Sequence, residues 1–183
     1  MGLDILDVIY GMEKEFAVKF TLDDPIGSRT PRHYISRLTE LLPMGYADGC
    51  LTSRTFYRIA DALQRINLAW FALSPRTRMD GLVDKKTWKH LWPNIRCYAG
   101  GESWPRKVPW PEGWFTSGLD KTATLGELAR FVAMESAEAR PKPGQGWSWE
   151  QVALRFRWVI WDRMGGLLRF SLNDDFNKDM GLE

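Results

Sequence analysis

Apolar residues recur every three to four positions at both ends of this chain, which is the spacing of one face of an amphipathic helix. Near the start this face consists of Leu6, Ile9, Met12 and Phe16. Near the end a capping box of Ser148 and Gln151 opens a helix whose apolar face consists of Val152, Phe156, Val159 and Ile160. Neither end can bury such a face alone, so we expect the two ends to pack together.

Further helices are predicted between the two ends. A helix capped by Thr30 and carrying Pro31 in its first turn ends at Pro43. The middle of the chain predicts a helix over 52–66 that Thr52 caps, a helix over 85–96, and a third that begins after Thr124. The Pro- and Gly-rich stretch 141–147 is predicted to be a linker. The fold class we predict is all-α.

The end of the chain, read into its beginning, resembles a motif of a known family. The chain closes with Phe176-Asn-Lys-Asp-Met-Gly-Leu-Glu183 and opens with Met1-Gly-Leu-Asp-Ile-Leu-Asp-Val-Ile. Joined in that order, they resemble the centre of an acyl carrier protein, where F-x-x-D-L-G-x-D leads into S-L-D-x-V-E-L and a long second helix. The resemblance implies a circularly permuted four-helix carrier-like bundle, assembled from residues 1–43 plus 148–183.

Residues 50–140 resemble a second, more diverged copy of the same family. The segment 72–82 is similar to the loop that follows a carrier's first helix, and Thr124-Leu-Gly-Glu-Leu128 is similar to the start of a carrier's last helix. The resemblance thus implies a diverged carrier-like helical domain inserted into the first one, with 141–147 as the linker. A domain-swapped homodimer, in which each tail completes its neighbour, satisfies the same sequence.

The serine to which the family attaches phosphopantetheine falls on Gly2 in this chain. Glycine has no hydroxyl, so the ester to the arm cannot form there, and Asp80-Gly-Leu-Val in the middle module also lacks a serine at the matching place. We therefore predict no cofactor. The alternative is a working acyl carrier that is modified at another hydroxyl, such as Ser28, Ser53, Ser117 or Ser171.

The opening helix carries four carboxylates, Asp4, Asp7, Glu13 and Glu15. Family members present an acidic second helix to their partner enzymes, so the resemblance implies that these residues bind a protein partner. A simply solvated helix face is the plainer interpretation. The implied partner is an enzyme of lipid synthesis, for fatty acids or polyketides, and the implied function is that of an adaptor protein.

No catalytic or metal-binding constellation is found in the sequence. It contains neither a Gly-rich phosphate loop nor paired carboxylates nor a set of metal ligands, so we predict a non-catalytic protein. His33 and His90 are interpreted as surface histidines, and Cys50 and Cys97 as reduced residues used in packing.

Charge is spread unevenly although the formal net charge is only +2. Residues 50–110 hold eleven basic and four acidic residues, a net charge of +7. This leaves a second alternative, nucleic-acid binding through the helices 52–66 and 85–96 placed as in a helix-turn-helix, although nucleic acid is not the partner that we predict. Because no stretch approaches about 20 apolar residues and no signal peptide is recognised, we expect a cytoplasmic protein without a membrane partner.

Overall fold

The computed structural model describes residues 5–21, 30–46, 49–68, 71–106, 124–164 and 169–181. Within these ranges the chain forms six α-helices, two isolated β-bridges and no strand. The helices are α1 (Ile5–Phe16), α2 (Pro31–Leu41), α3 (Leu51–Arg65), α4 (Lys85–Ala99), α5 (Leu125–Glu135) and α6 (Trp149–Met164). The prediction of an all-α fold is confirmed.

The chain divides into two compact units. Unit 1 comprises Met1–Ala47 and Arg140–Glu183, and unit 2 comprises Asp48–Ala139. In unit 1, α6 packs against both α1 and α2, whereas in unit 2 it is α3 that packs against both α4 and α5. In each unit one helix therefore contacts the two others.

The core of unit 1 contains residues from both ends of the chain. Helix α1 contributes Val8, Ile9, Met12 and Phe16; α2 contributes Tyr34, Ile35 and Leu38; and α6 contributes Val152, Phe156, Val159 and Ile160. Phe170, Phe176 and Met180 of the segment that follows α6 are buried in the same core. Burial of each large side chain contributes roughly 1.5–3 kcal/mol, so unit 1 depends on both ends of the chain.

Two stretches of backbone meet where the chain leaves unit 1 and returns to it. The Gly45 N–H donates to the Trp147 carbonyl, and the Trp147 N–H donates to the Pro43 carbonyl, both at 2.8 Å. The Trp147 ring lies 5.1 Å from that of Phe16, which anchors the returning stretch to the core. The end of the predicted linker 141–147 is therefore part of unit 1. We call the paired stretches 43–45 and 146–147 the neck.

The helix starts show where local sequence predicted structure and where it did not. The capping box of α6 is confirmed, because the Ser148 N–H donates to Gln151 Oε1 at 3.0 Å and the Gln151 N–H donates to Ser148 Oγ at 3.2 Å. At α3 the predicted cap, Thr52, is wrong. The helix begins one residue earlier, and Cys50 Sγ accepts the Ser53 N–H at 3.4 Å.

The segment that follows α6 in unit 1 and the segment that follows α3 in unit 2 contain the same local turn. In unit 1 the Ser171 N–H donates to the Asp174 carboxylate at 2.6 Å, and in unit 2 the Ser74 N–H donates to the Thr77 hydroxyl at 3.0 Å. In both turns the fourth residue's N–H donates back to the serine carbonyl, at 3.2 Å in unit 1 and 3.0 Å in unit 2. Two different sequences thus form the same hydrogen-bonded turn.

Each of these turns is also joined to the start of another helix of its unit. The Leu172 carbonyl accepts the Arg32 N–H, and the Pro75 carbonyl accepts the Gly126 N–H, both at 2.8 Å. Arg32 and Gly126 are each the second residue of their helix, α2 and α5. The two units therefore repeat one arrangement, in which a turn after one helix fixes the start of another.

A group of three tryptophans lies in the core of unit 2. The ring centres of Trp88 and Trp92 are 6.3 Å apart, and Trp92 stacks on Trp104 at 6.1 Å. The indole N–H of Trp92 donates to the Pro105 carbonyl at 3.0 Å. The indole N–H of Trp88 is buried, and among the described residues it has no hydrogen-bond partner. A buried donor without a partner costs about 1–3 kcal/mol.

The two tryptophans predict different responses to the same substitution. Trp92→Phe removes a hydrogen bond and leaves a carbonyl without its donor, whereas Trp88→Phe removes a donor that has no bond. We expect Trp92→Phe to lower the free energy of unfolding by about 1 kcal/mol more than Trp88→Phe. Urea unfolding followed by circular dichroism measures both values, and equal losses would contradict the prediction.

The neck predicts a second effect on stability. A Cβ at Gly146 would lie 2.6 Å from the Met44 carbonyl carbon and 2.7 Å from the Gly45 nitrogen, so the backbone would have to move. We expect Gly146→Ala to cost about 1–3 kcal/mol in urea unfolding. Gly81→Ala is the matched control, because its Cβ would meet its nearest atom at an ordinary 3.6 Å. A loss no larger than that of the control would refute the close packing of the neck.

Candidate protein-binding site on the first helix

The exposed side of α1 carries two large apolar side chains one turn apart. Leu6 is 57% exposed and Tyr10 is 59% exposed, and the exposed Asp7 and Lys14 lie on the same side. A helix repeats every 3.6 residues, so these four residues project away from the buried stripe that contains Met12. We call Leu6, Asp7, Tyr10 and Lys14 the outer face of α1.

The inward assignment of Leu6 was wrong, and helix geometry gives the reason. Val8, which the predicted apolar stripe omitted, is fully buried. Val8 lies four residues before Met12, so the two share one side of the helix, whereas Leu6 lies about 120° further round. The sequence contained this signal, because a stripe centred on Met12 already favours Val8 over Leu6.

Helix α6 contacts the Tyr10 ring through Arg163. The Arg163 guanidinium lies 5.8 Å from the centre of the Tyr10 ring, a cation–π distance. Beside it, a Cβ on Gly11 would lie only 2.8 Å from Val159 Cγ1, so α1 and α6 approach closely at this glycine. The outer face of α1 is therefore supported by a packed helix pair.

Glu15, one of the four predicted partner-binding carboxylates, is engaged inside unit 1. Its side chain is only 8% exposed, and Arg155 Nε donates to its Oε1 at 2.6 Å. The Arg140 guanidinium adds two hydrogen bonds, at 3.0 Å and 3.1 Å. The structure thus places Glu15 in an ion-pair network that joins α1 to α6 and to Arg140, away from the outer face.

Glu13 is also engaged within α1 and the turn that follows it. Its carboxylate accepts the Phe20 N–H at 2.9 Å and the Lys19 ammonium at 3.3 Å. The hydrogen bond from Phe20, with the smaller contribution of Lys19, holds the pKa of Glu13 below its ordinary value. Because Lys19 offsets this charge, Glu13 adds little acidic character to the surface.

Of the four predicted carboxylates, Asp7 is the one that the structure places on the outer face of α1. Asp4 lies outside the described residues, as does Gly2 at the expected attachment position. Sequence reasoning missed Tyr10, as well as Arg140 and Arg155, the partners of Glu15. The basic partners are more than a hundred residues from Glu15 along the chain, so no local pattern could have identified them.

The Glu15 network is mostly buried and stabilises unit 1. Arg155 is 2% exposed, and its guanidinium stacks 4.1 Å above the centre of the Trp158 ring. Burial alone would raise the pKa of Glu15, but the hydrogen bonds and charges of Arg155 and Arg140 outweigh it and hold the pKa below its ordinary value. The folded state therefore favours the ionised carboxylate.

This lowered pKa predicts how stability depends on pH. A carboxyl whose pKa is lower in the folded than in the unfolded state contributes its full stabilisation above the unfolded pKa, about 4.3, and loses it as the pH falls through the folded pKa. Glu15→Gln should cost about 3 kcal/mol near neutral pH, because it leaves Arg155 buried beside a neutral amide. It should also reduce the loss of stability that sets in as the pH falls below the unfolded pKa of about 4.3.

Urea unfolding across this pH range tests the prediction. Asp7→Asn serves as the control, since a substitution at this exposed carboxylate should change the free energy of unfolding by no more than about 0.5 kcal/mol. If Glu15→Gln unfolds at the same urea concentration as the control, the ion pair does not stabilise unit 1.

Other kinds of site were searched across the described part of the chain. Within those residues no group of three or more His, Cys, Asp or Glu side chains is arranged to hold a metal ion. His33 and His90 are exposed on helices of different units. Cys50 and Cys97 form no disulfide, and because both are exposed, the prediction that the two cysteines are packing residues is wrong. No helix in the described ranges combines the length and apolar character needed to span a bilayer.

No protein-family model matches the chain, and neither a curated protein nor a solved structure does.

Proposed function

We propose that this chain is a non-catalytic, acyl-carrier-like adaptor without a phosphopantetheine arm, which binds a protein partner through the outer face of α1. The observation that carries the proposal is the pair Leu6 and Tyr10, each more than half exposed, one turn apart and beside Asp7. A single exposed apolar residue is ordinary on a soluble domain, but an adjacent pair held on a packed helix suits a protein interface.

The arrangement of unit 1 supports the carrier-like part of the proposal. Read from the tail into the head, the unit has a first helix, α6, then a segment with buried Phe176 and Met180, then α1 and finally α2. This is the order that the resemblance implies for a permuted carrier over 1–43 and 148–183. Unit 2 repeats the turn and its bond to the last helix, which supports a second carrier-like copy.

The partner class follows from the resemblance. Carrier proteins dock on enzymes of fatty-acid or polyketide synthesis through their second helix, and α1 takes that place here. An adaptor with this helix and no arm would occupy the docking site of such an enzyme without delivering an acyl group. Asp7 would then pair with a basic residue of the partner, which affects orientation and association rate more than affinity.

The size of the face indicates a transient complex. Full burial of Leu6 and Tyr10 would contribute roughly 1.5–3 kcal/mol each. Association costs several kcal/mol in lost translational and rotational freedom, so two such side chains cannot give tight binding by themselves. The expected complex is weak and dissociates quickly, as is typical of a transient protein interaction.

A titration monitored by nuclear magnetic resonance tests the proposed site. We would add a purified condensing enzyme of fatty-acid synthesis to the isotope-labelled protein and follow the backbone amides of α1. Signals of Leu6, Asp7 and Tyr10 should shift or broaden, and Tyr10→Ala should weaken binding about tenfold. Tyr57→Ala is the matched control, because this tyrosine is 67% exposed on α3 in unit 2. Perturbations that avoid α1, or no binding, would overturn the proposed site.

A mass measurement tests the missing arm separately. Intact mass is recorded before and after incubation with coenzyme A and a broad-specificity phosphopantetheinyl transferase, and we expect no change. A gain equal to one arm would favour the alternative of a working carrier. Ser53→Ala and Ser171→Ala would then locate the attachment at either of two exposed serines. Ser28 and Ser117 lie outside the described residues.

A further inference from the structure

One side of α4 in unit 2 is exposed and carries basic residues in its N-terminal half. The helix Lys85–Ala99 contains four Lys or Arg residues and no carboxylate. Its described exposed residues lie along one stripe, in which the basic residues Lys86, Lys89 and His90 come first and the uncharged Pro93, Asn94, Cys97 and Tyr98 follow. At 1.5 Å of rise per residue this stripe is roughly 18 Å long. We call Lys86, Lys89, His90, Asn94 and Tyr98 the basic face of α4.

Within the described part of unit 2, the lysines of this face differ from the other cations in their ion pairing. Three other cations of the unit hold carboxylates at 2.8 Å, in the pairs Arg58–Glu138, Arg65–Asp61 and Arg78–Asp80. Among the described residues no carboxylate pairs with Lys86 or Lys89. The nearest acidic residue in sequence, Asp84, accepts the Thr87 N–H at 3.0 Å and the Thr87 hydroxyl at 2.6 Å as the cap of α4.

The position of the lysines is unfavourable for the isolated helix. The first turn of a helix carries partial positive charge, so Lys86 there opposes the helix dipole. Lys86 and Lys89 are also neighbours on the helix surface and repel each other. Anionic groups placed along this face would offset both effects.

We propose that the basic face of α4 binds an acidic amphipathic helix of a protein partner. Carboxylates three or four residues apart on such a helix match the spacing of Lys86, Lys89 and His90. Further along the stripe, Asn94 supplies a donor and an acceptor, and the 57% exposed Tyr98 ring supplies apolar contact. The surface is therefore distinct from the outer face of α1, both in charge and in the unit that carries it.

The observations favour an acidic helix over a nucleic acid. Helices α3 and α4 are separated by the whole segment 66–84, whereas a helix-turn-helix has a turn of about three or four residues. Strong phosphate-driven binding uses about 6–10 contacts, but the basic face has two lysines and a histidine. Arg58 and Arg65 of α3 are already engaged with carboxylates. The helix-turn-helix alternative raised by the sequence is therefore not supported.

The place of α4 in unit 2 matches that of α1 in unit 1. In the tail-to-head order of the proposed carrier arrangement, each is the helix after the segment with the shared serine turn, and each packs on the helix before that segment, α3 or α6. These two helices present different surfaces, one with an apolar pair between a single acidic and a single basic residue, and one with basic residues and no acidic one. A chain of this design would bring together two partners that differ in charge.

The test uses a synthetic acidic helical peptide with Glu at every third and fourth position, and a second peptide in which Gln replaces each Glu. Binding to the isotope-labelled full chain is measured by nuclear magnetic resonance at low salt. We expect the Glu peptide to shift the amides of Lys86, Lys89 and His90, and the Gln peptide to leave them unchanged. Raising the salt concentration to 0.5 M should abolish the shifts.

Charge-reversal variants complete the test. Lys86→Glu and Lys89→Glu should each weaken the peptide's binding about threefold or more, whereas Lys142→Glu and Lys178→Glu, exposed lysines of unit 1, should leave it unchanged. Circular dichroism establishes that the variants remain helical. Binding of both peptides alike, or equal loss in all four variants, would overturn the proposal. Tighter binding of a 20-base-pair DNA duplex than of the Glu peptide would assign the face to nucleic acid instead.

Discussion

The architecture depends on the pairing of the chain with itself at the neck. Unit 1 is built from two separate stretches of sequence, and both must reach the same core for either apolar face to be buried. The two backbone hydrogen bonds at Trp147 hold the departing and returning stretches side by side, and the absence of side chains at Gly45 and Gly146 lets them approach. Residues 48–139 can therefore form a second core without separating the two parts of the first.

Charge in unit 1 is used mainly to hold elements together. Glu15 joins α1 to α6 through Arg155, and Glu13 secures the turn after α1 through Phe20 and Lys19. The sequence resemblance predicts that both carboxylates bind a protein partner. Their engagement leaves the outer face of α1 more apolar than the sequence suggested, with Asp7 as its exposed acidic group in the described range. The apolar pair therefore contributes more to the proposed docking than the charge does.

Sequence periodicity predicted the helices, because each helix must place its apolar residues on one side. The local sequence also predicted the capping box of α6, because its two partners, Ser148 and Gln151, lie only three residues apart. The ion pairs of Glu15 were not predicted, because its partners Arg140 and Arg155 are remote in sequence. The exposure of Leu6 was not predicted either, because Leu6 and Val8 are both apolar and only Val8 lies on the buried side of the helix. The repeated turn at Ser74 and Ser171 was equally hidden, because Thr77 and Asp174 make the same bond with different chemistry.

The split construction of unit 1 has a consequence for synthesis on the ribosome. Unit 2 is one continuous stretch, so it can fold as soon as Ala139 has left the exit tunnel. Helices α1 and α2 are made before Phe156, Phe176 and Met180, which complete their core. Throughout that interval their apolar sides remain open to chaperones or to another nascent chain. The order of translation therefore leaves α1 and α2 exposed for longer than the helices of unit 2.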